Sequence, residues 1–213
     1  MKSIITIADD NYKKYADKLF ESLNDCGWRG KTKVFSPDTI KQTLFSPLFT
    51  DCRWLFCDII DHLDDGDQVM YFDADCVATK AFPVNSPELW DTNFTISKIS
   101  ISKANLKTNH YDQIRILTRS EVDYICFPTI IIFTVSDEIR VFFEYLREFM
   151  KDAIIIGAGI NVSLTSAVIA TNIKPHFIEE DKISYPFCNY DDSWIYHYAG
   201  LTGKKMWSNE YEK

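Results

Sequence analysis

Asp73 and Asp75 stand one residue apart, directly after the apolar run Val69-Met70-Tyr71-Phe72. Four consecutive apolar residues read as a strand buried on both faces. Alternate residues of an extended chain share a face, so the two carboxylates are expected to converge on one point. Hard oxygen donors of this kind hold Mg²⁺ or Mn²⁺ together with substrate phosphates. The first expectation is therefore a metal-and-phosphate site at the end of a central strand.

Two other stretches carry chemistry. Ala8-Asp9-Asp10-Asn11-Tyr12 follows the β-branched run that starts at Ile4, and ligands of open α/β sheets bind beyond the carboxyl ends of strands. Asp9 and Asn11 are placed to hydrogen-bond a nucleobase edge and Tyr12 to stack on its face; the same residue types also serve as helix N-caps. Near the C-terminus, His197-Tyr-Ala-Gly200 runs into Gly203-Lys204-Lys205-Met-Trp207. It offers an imidazole ligand, close backbone approach and cations for phosphate.

The elements that must position these residues alternate along the chain. Residues 4–8 read as a strand, 12–25 as an amphipathic helix closed by Cys26-Gly27, and 32–35 as a second strand, the β-α-β opening of a parallel sheet. A helix is expected over 48–63, a turn at Asp64-Asp65-Gly66-Asp67, and the Asp-x-Asp strand after it. Residues 80–90 read as loop, and 94–102 alternate like a strand with one exposed face. Residues 103–123 read either as a substrate-covering segment or as an ordinary surface helix. Tyr124–Phe127 and Ile130–Thr134 read as two strands split by Pro128-Thr129. Ser136 opens a strong helix with Ile139, Phe142, Phe143, Leu146, Phe149 and Met150 as its buried stripe. Asn161–Ala170 read as another helix, and the last 40 or so residues as irregular.

Composition narrows the function classes. The 213 residues suit one α/β domain. A net charge of −8 argues against a nucleic-acid surface, which needs clustered Lys and Arg. An anionic ligand on so acidic a chain calls for a local cation, which a divalent metal supplies. The six cysteines form no CxxC pair and lack zinc-site spacing, so free buried thiols in a reducing, cytoplasmic setting are expected. The N-terminal apolar run is too short for a signal peptide, and no stretch approaches the roughly 18 apolar residues of a membrane span.

Taken in order, Ala8-Asp-Asp-Asn-Tyr12, Tyr71-Phe-Asp-Ala-Asp75 and His197-Tyr-Ala-Gly200 with Lys204, Lys205 and Trp207 resemble the motifs of a known family. It is that of the retaining, GT-A-fold glycosyltransferases related to glycogenin and the bacterial lipooligosaccharide α-galactosyltransferases. The resemblance implies a GT-A (nucleotide-diphospho-sugar transferase) fold, with a mixed, mostly parallel central sheet flanked by helices. It implies one domain over 1–213, with a nucleotide-binding half to about residue 102, an acceptor-side half over 103–207 and a charged tail at 208–213. It implies Mn²⁺ or Mg²⁺ on Asp73, Asp75 and His197, a UDP-sugar donor and a glycan or glycoprotein acceptor. Ala8, Asp9, Asn11 and Tyr12 would take the uracil end, Gly200 and Lys204 or Lys205 the phosphates, and Arg53 the donor ribose or phosphate. Ala74 lies within the same donor-binding stretch.

Three features depart from the family pattern. Extra residues separate Gly200 from the lysines, and Met206 replaces the expected proline. Phe127-Pro128-Thr129 stands where an Asn-Ala-Gly strand signature is expected. The segment facing the reacting sugar has become Gly157-Ala-Gly-Ile-Asn161, leaving Asn161 as its only candidate. Asp191 and Asp192 are candidates for a base or for acceptor hydroxyls. Two alternatives stay open. One is a haloacid-dehalogenase-like phosphohydrolase with Asp73 as nucleophile and Asp75 as acid/base. The other is an inactive nucleotide-sugar or glycan-binding module.

Overall fold

The computed structural model describes residues 1–36, 53–100, 109–186 and 190–211. The chain runs β1 (Lys2–Ile7), α1 (Lys13–Asp25), β2 (Lys31–Phe35), α2 (Arg53–Asp58) with a 3₁₀ turn Ile59–His62, β3 (Gln68–Asp73), β4 (Cys76–Ala78) and α3 (Pro87–Trp90). It continues with β5 (Phe94–Ser100), α4 (Asn109–Thr118), β6 (Tyr124–Thr134), α5 (Asp137–Ile155) and α6 (Ile160–Thr171). It closes with β7 (His176–Ile178), β8 (Ile183–Ser184), β9 (Ile195–His197) and α7 (Gly200–Tyr211).

A six-stranded sheet in the order β2-β1-β3-β6-β5-β7 forms the centre. β1 pairs parallel with β2 and β3, β5 pairs parallel with β7, and β6 runs against both of its neighbours. The expected mixed, mostly parallel sheet is what forms. Alternation along the strands feeds two cores. Ile5, Val69, Tyr71, Ile131 and Phe133 pack against Phe56, Phe142, Phe143, Leu146 and Leu164 of α2, α5 and α6. Ile4, Met70, Phe72, Ile130 and Ile132 face α1, α3 and a second, three-stranded sheet, β4-β9-β8. That small sheet lies over the carboxyl end of β3 and positions the C-terminal histidine.

Several sequence expectations change. β3 ends at Asp73, and Ala74-Asp75 is a turn leading into β4, so the two aspartates do not lie on one extended strand. The side chain that shares a strand face with Asp73 is Tyr71. β5 is buried on both faces from Phe94 to Ser97, because β6 and β7 flank it and both layers cover it. The two strands expected around Pro128 are one strand, β6. Its register against β5 jumps between Ile96↔Ile131 and Ser97↔Phe127, so residues 128–130 bulge away from β5. A bulge is where a proline, lacking an N–H, costs a sheet nothing. Residues 208–211, expected as tail, are the last turn of α7, with Tyr211 packed on Trp207. Of the helix expected over 48–63, residues 48–52 lie outside the described residues, as do residues 101–102 of the expected strand and 103–108 of the expected covering segment; α4 follows.

Cys57, Cys76 and Cys126 are buried free thiols and Cys26 is half-buried and free; Cys52 and Cys188 lie outside the described residues. No described helix is long and apolar enough to cross a membrane.

Phe143 is fully buried and its ring meets those of Phe56, Phe133 and Phe142, tying α5 to α2 and β6. Phe143→Ala should lower unfolding free energy by about 3–5 kcal/mol, read as a fall in urea midpoint with unchanged slope.

Candidate functional site

β1 and β3 are paired in register as far as Ile7↔Asp73, so Ala8-Asp9 and Ala74-Asp75 leave the sheet side by side. Small side chains permit this, for Ala8, Ala16 and Ala74 pack together where α1 meets the strand ends. Asp9 accepts the Tyr12 N–H on both its backbone and side-chain oxygens, the latter at 3.0 Å. Asp9 thus closes the turn that leads into α1, whose N-cap is Tyr12 with no side-chain cap, and leaves Asn11 exposed and the Tyr12 ring at the surface beside the strand ends.

The small sheet brings in the third motif. Cys76 lies opposite His197 in the β4–β9 ladder, and the Tyr198 N–H donates to the Asp75 carbonyl at 2.9 Å. His197 Nε2 is thereby held 3.1 Å from Asp75 Oδ1 and 3.5 Å from Asp73 Oδ2. Its other nitrogen, Nδ1, lies 3.0 Å from Thr129 Oγ1, which is 3.1 Å from the Tyr185 hydroxyl. The Tyr71 hydroxyl donates to Asp73 Oδ1 at 2.9 Å. Lys204 pairs with Asp75 Oδ2, and its ammonium also sits 4.8 and 4.4 Å from the ring centres of Tyr12 and Tyr15. Of the two lysines, Lys204 faces the aspartates while Lys205 is exposed. Gly203 makes this approach possible, because a Cβ there would overlap the Tyr198 backbone.

Charge is concentrated at this point. Burial alone would raise the Asp75 carboxyl, but His197 and then Lys204 overcome it and hold it well below the usual carboxylate range. Burial alone would lower His197, yet Asp75 and Asp73 raise it against the opposing charge of Lys204. Two carboxylates and an imidazole nitrogen suit a hard divalent ion, and Nδ1 is engaged elsewhere, which leaves Nε2 toward the carboxylates. Cys76 Sγ also lies within 4.8 Å of the Asp75 and His197 donor atoms. Burial, then Asp75 and Asp73, push that thiol well up, and it donates to the Thr129 carbonyl at 3.8 Å.

The remaining candidates are spread around this centre. Gly200 is the first residue of α7. Arg53 opens α2 and its side chain lies outside the described residues. Asn161 is in the first turn of α6, whose N-cap is Gly159. Since β6 runs down the sheet and α5 returns, α6 begins at the edge where β1 and β3 end. Asp191 and Asp192 are exposed in the turn before β9, beyond the end opposite His197, and with Asp181 and Tyr190 line an open cleft of about 320 Å³. They are not drawn into the Asp75–His197 cluster. Sequence reasoning missed Tyr185 and the roles of Thr129 and Tyr71, whereas the close backbone approach expected of the C-terminal glycines is what Gly203 provides. Only Thr129 left a trace, as the departure from the expected strand signature.

The sequence matches no protein-family model and no curated protein. Solved structures do match. The galactosyltransferase LgtC, in complex with donor and acceptor sugar analogues, superposes with a TM-score of 0.65 at 12% identity, over 93% of this chain and 87% of LgtC. The fold is GT-A. A glycosyltransferase involved in glycosylating the major capsid of PBCV-1 matches over 98% of both chains, with a TM-score of 0.55 and 11% identity. The glycosyltransferase GlyE of Streptococcus pneumoniae TIGR4 matches at 0.55 and 11% identity, over 94% of this chain and 56% of its own. In the GT-A sheet of this chain the third strand, β3, ends at Asp73, and Asp75 lies in the turn that leads into the small sheet.

Two outcomes follow for the protein without added metal. Gly203→Ala should cost about 1–3 kcal/mol by overpacking, seen as a lower melting temperature. The second concerns pH. Asp75 is depressed on folding, so its contribution is complete above its unfolded pKa near 4 and is lost as pH falls through the lower folded value. His197 is raised, so its contribution is complete below its unfolded pKa near 6.5 and is lost as pH rises through the higher folded value. The groups facing the pair are Asp73, Lys204 and, through Asp73, Tyr71. In EDTA the stability difference between wild type and Asp75→Asn should therefore be greatest between about pH 4 and 6.5 and shrink on both sides.

Proposed function

We propose that this protein transfers a sugar from a nucleoside diphosphate sugar, with UDP as the nucleotide, to an acceptor hydroxyl with retention at the anomeric carbon. The observation that carries the reading is the convergence of Asp73, Asp75, His197 and Lys204 at the carboxyl edge of a GT-A sheet. Asp73, Asp75 and His197 would hold Mn²⁺ or Mg²⁺. When bound, the ion supplies Lewis acidity that neutralises charge on the departing nucleoside diphosphate.

The chain's own residues do the rest. Tyr12 presents an exposed ring for the base, and Asp9 and Asn11 lie beside it to read the base edge. Lys204, which faces Asp75 from α7, moves its ammonium onto a departing phosphate oxygen, and the N–H of Gly200, the first residue of α7, would add a second donor. Both act on charge that develops as the sugar leaves, which is where a fixed donor accelerates a reaction. The bond from the anomeric carbon to the diphosphate oxygen breaks, the bond to the acceptor oxygen forms on the same face, and the acceptor proton passes to the leaving diphosphate. Asn161, at the sheet edge, steadies the reacting sugar. Asp191 and Asp192, in an exposed cleft away from the cluster, take acceptor hydroxyls rather than the reacting proton.

Two features weigh against the phosphohydrolase. Asp73 already accepts from Tyr71, and Asp75 is paired on both oxygens, to His197 and Lys204. Neither is poised as a nucleophile or as a free acid.

The test is incubation with Mn²⁺ and a panel of nucleotide sugars, following donor binding and nucleoside diphosphate release. A UDP-sugar should bind, turn over, and stop turning over in EDTA. Asp75→Ala should lower turnover by roughly 10²–10³-fold, and Lys204→Met should weaken donor binding and slow release, as expected for removing a transition-state donor. Metal affinity should rise as pH climbs through the raised His197 pKa, because the ion competes with the proton that Asp75 and Asp73 hold on His197. Cleavage of a phosphomonoester with no UDP binding would sink the proposal. Metal-dependent binding with no turnover on any acceptor would reassign the chain as a binding module.

A further inference from the structure

Thr129 is fully buried and stands in the β6 bulge, where residues 128–130 leave the β5 ladder. Its side chain and its carbonyl both reach the small sheet. Oγ1 lies 3.0 Å from His197 Nδ1, and the carbonyl accepts from Cys76 Sγ at 3.8 Å. These two partners are register neighbours across β4 and β9. Tyr185, also buried, brings its hydroxyl to 3.1 Å from Thr129 Oγ1, and its ring lies 5.4 Å from the imidazole and 6.3 Å from Phe127. The imidazole is thus gripped by one hydroxyl that is itself gripped by another.

We infer that Thr129 and Tyr185 are the positioning residues of His197, setting which ring nitrogen carries the proton and aiming the other at Asp73 and Asp75. A hydroxyl has one hydrogen and can accept as well. If Thr129 donates its hydrogen to Tyr185, it is left as an acceptor for Nδ1–H, and Nε2 then presents a lone pair to the carboxylates. Ligating histidines depend on this kind of partner on the far nitrogen for tautomer and ring orientation. The bulge supplies the reach. In a regular ladder residue 129 would be held in line with β5, and the register jump releases it toward β9. The inference deepens the metal reading and rests on it for consequence, though the ring geometry stands by itself.

Two readouts separate the inference from that reading. The first needs no metal: long-range ¹H–¹⁵N spectra at alkaline pH, with His197 assigned through His197→Gln. Wild type and Thr129→Ser should show the Nδ1–H tautomer, whereas Thr129→Val should shift toward a mixture. The second is titration with Mn²⁺ alone, followed by the paramagnetic signal of the free ion. Thr129→Val should weaken binding by about 10–100-fold, Tyr185→Phe should weaken it less, and Thr129→Ser should stay within about threefold of wild type. An unchanged tautomer in Thr129→Val, or a Ser variant as impaired as the Val variant, overturns the inference. Wild type that shows the Nδ1–H tautomer yet binds no Mn²⁺ overturns the metal reading while supporting the positioning role. If Thr129→Val does not fold, Tyr185→Phe decides: ring signals and Mn²⁺ affinity identical to wild type overturn the inference.

Discussion

The structure depends on a concentration of charge that the fold must both create and neutralise. Asp73 and Asp75 sit at the end of a buried strand, where carboxylates are costly unless they find cations and donors. His197 stands between them, Lys204 takes the outer oxygen of Asp75, and Tyr71 donates to Asp73. Tyr71 shares β3 with Asp73, whereas His197 comes from β9 and Lys204 from α7. The cluster is therefore a joint between the central sheet, the small sheet and the C-terminal helix.

That joint explains otherwise unconnected features. The alanines at positions 8, 16 and 74 let α1 crowd the strand ends. Gly203 lets α7 lie against the Tyr198 backbone, which brings Lys204 within reach of Asp75. Tyr12, Tyr15 and Trp207 line the seam between α1 and α7, and Lys204 threads between them and the aspartates. The nucleobase face and the phosphate-binding cation of the proposed donor site are thus in mechanical contact before any ligand arrives.

The misreadings came from places where neighbours override the local pattern. β5 alternates in sequence like a half-exposed strand, but it lies between β6 and β7 under two layers, so its small hydroxyls are buried and bonded internally: Ser97 to the Phe127 carbonyl, Thr95 to Thr92. Pro128 reads as a break between strands, yet β6 continues through it as a bulge. The C-terminal residues lack a clean helical period, and α7 forms because aromatic contacts to α1 supply what periodicity does not.

Sequence alone determined the strongly periodic elements, the order of the three motifs, and the identity of the carboxylates and histidine, because burial patterns and short polar signatures are local. Tertiary structure decided how the aspartates meet: a turn at Ala74-Asp75 and the register of β4 against β9 bring Asp75 to His197, where strand alternation had promised a simpler geometry. It decided that Lys204 and not Lys205 faces them, and it added Thr129 and Tyr185 behind the histidine. Such partners are 56 to 129 residues apart along the chain, and no local pattern records a contact made only when two sheets and a helix close on one another.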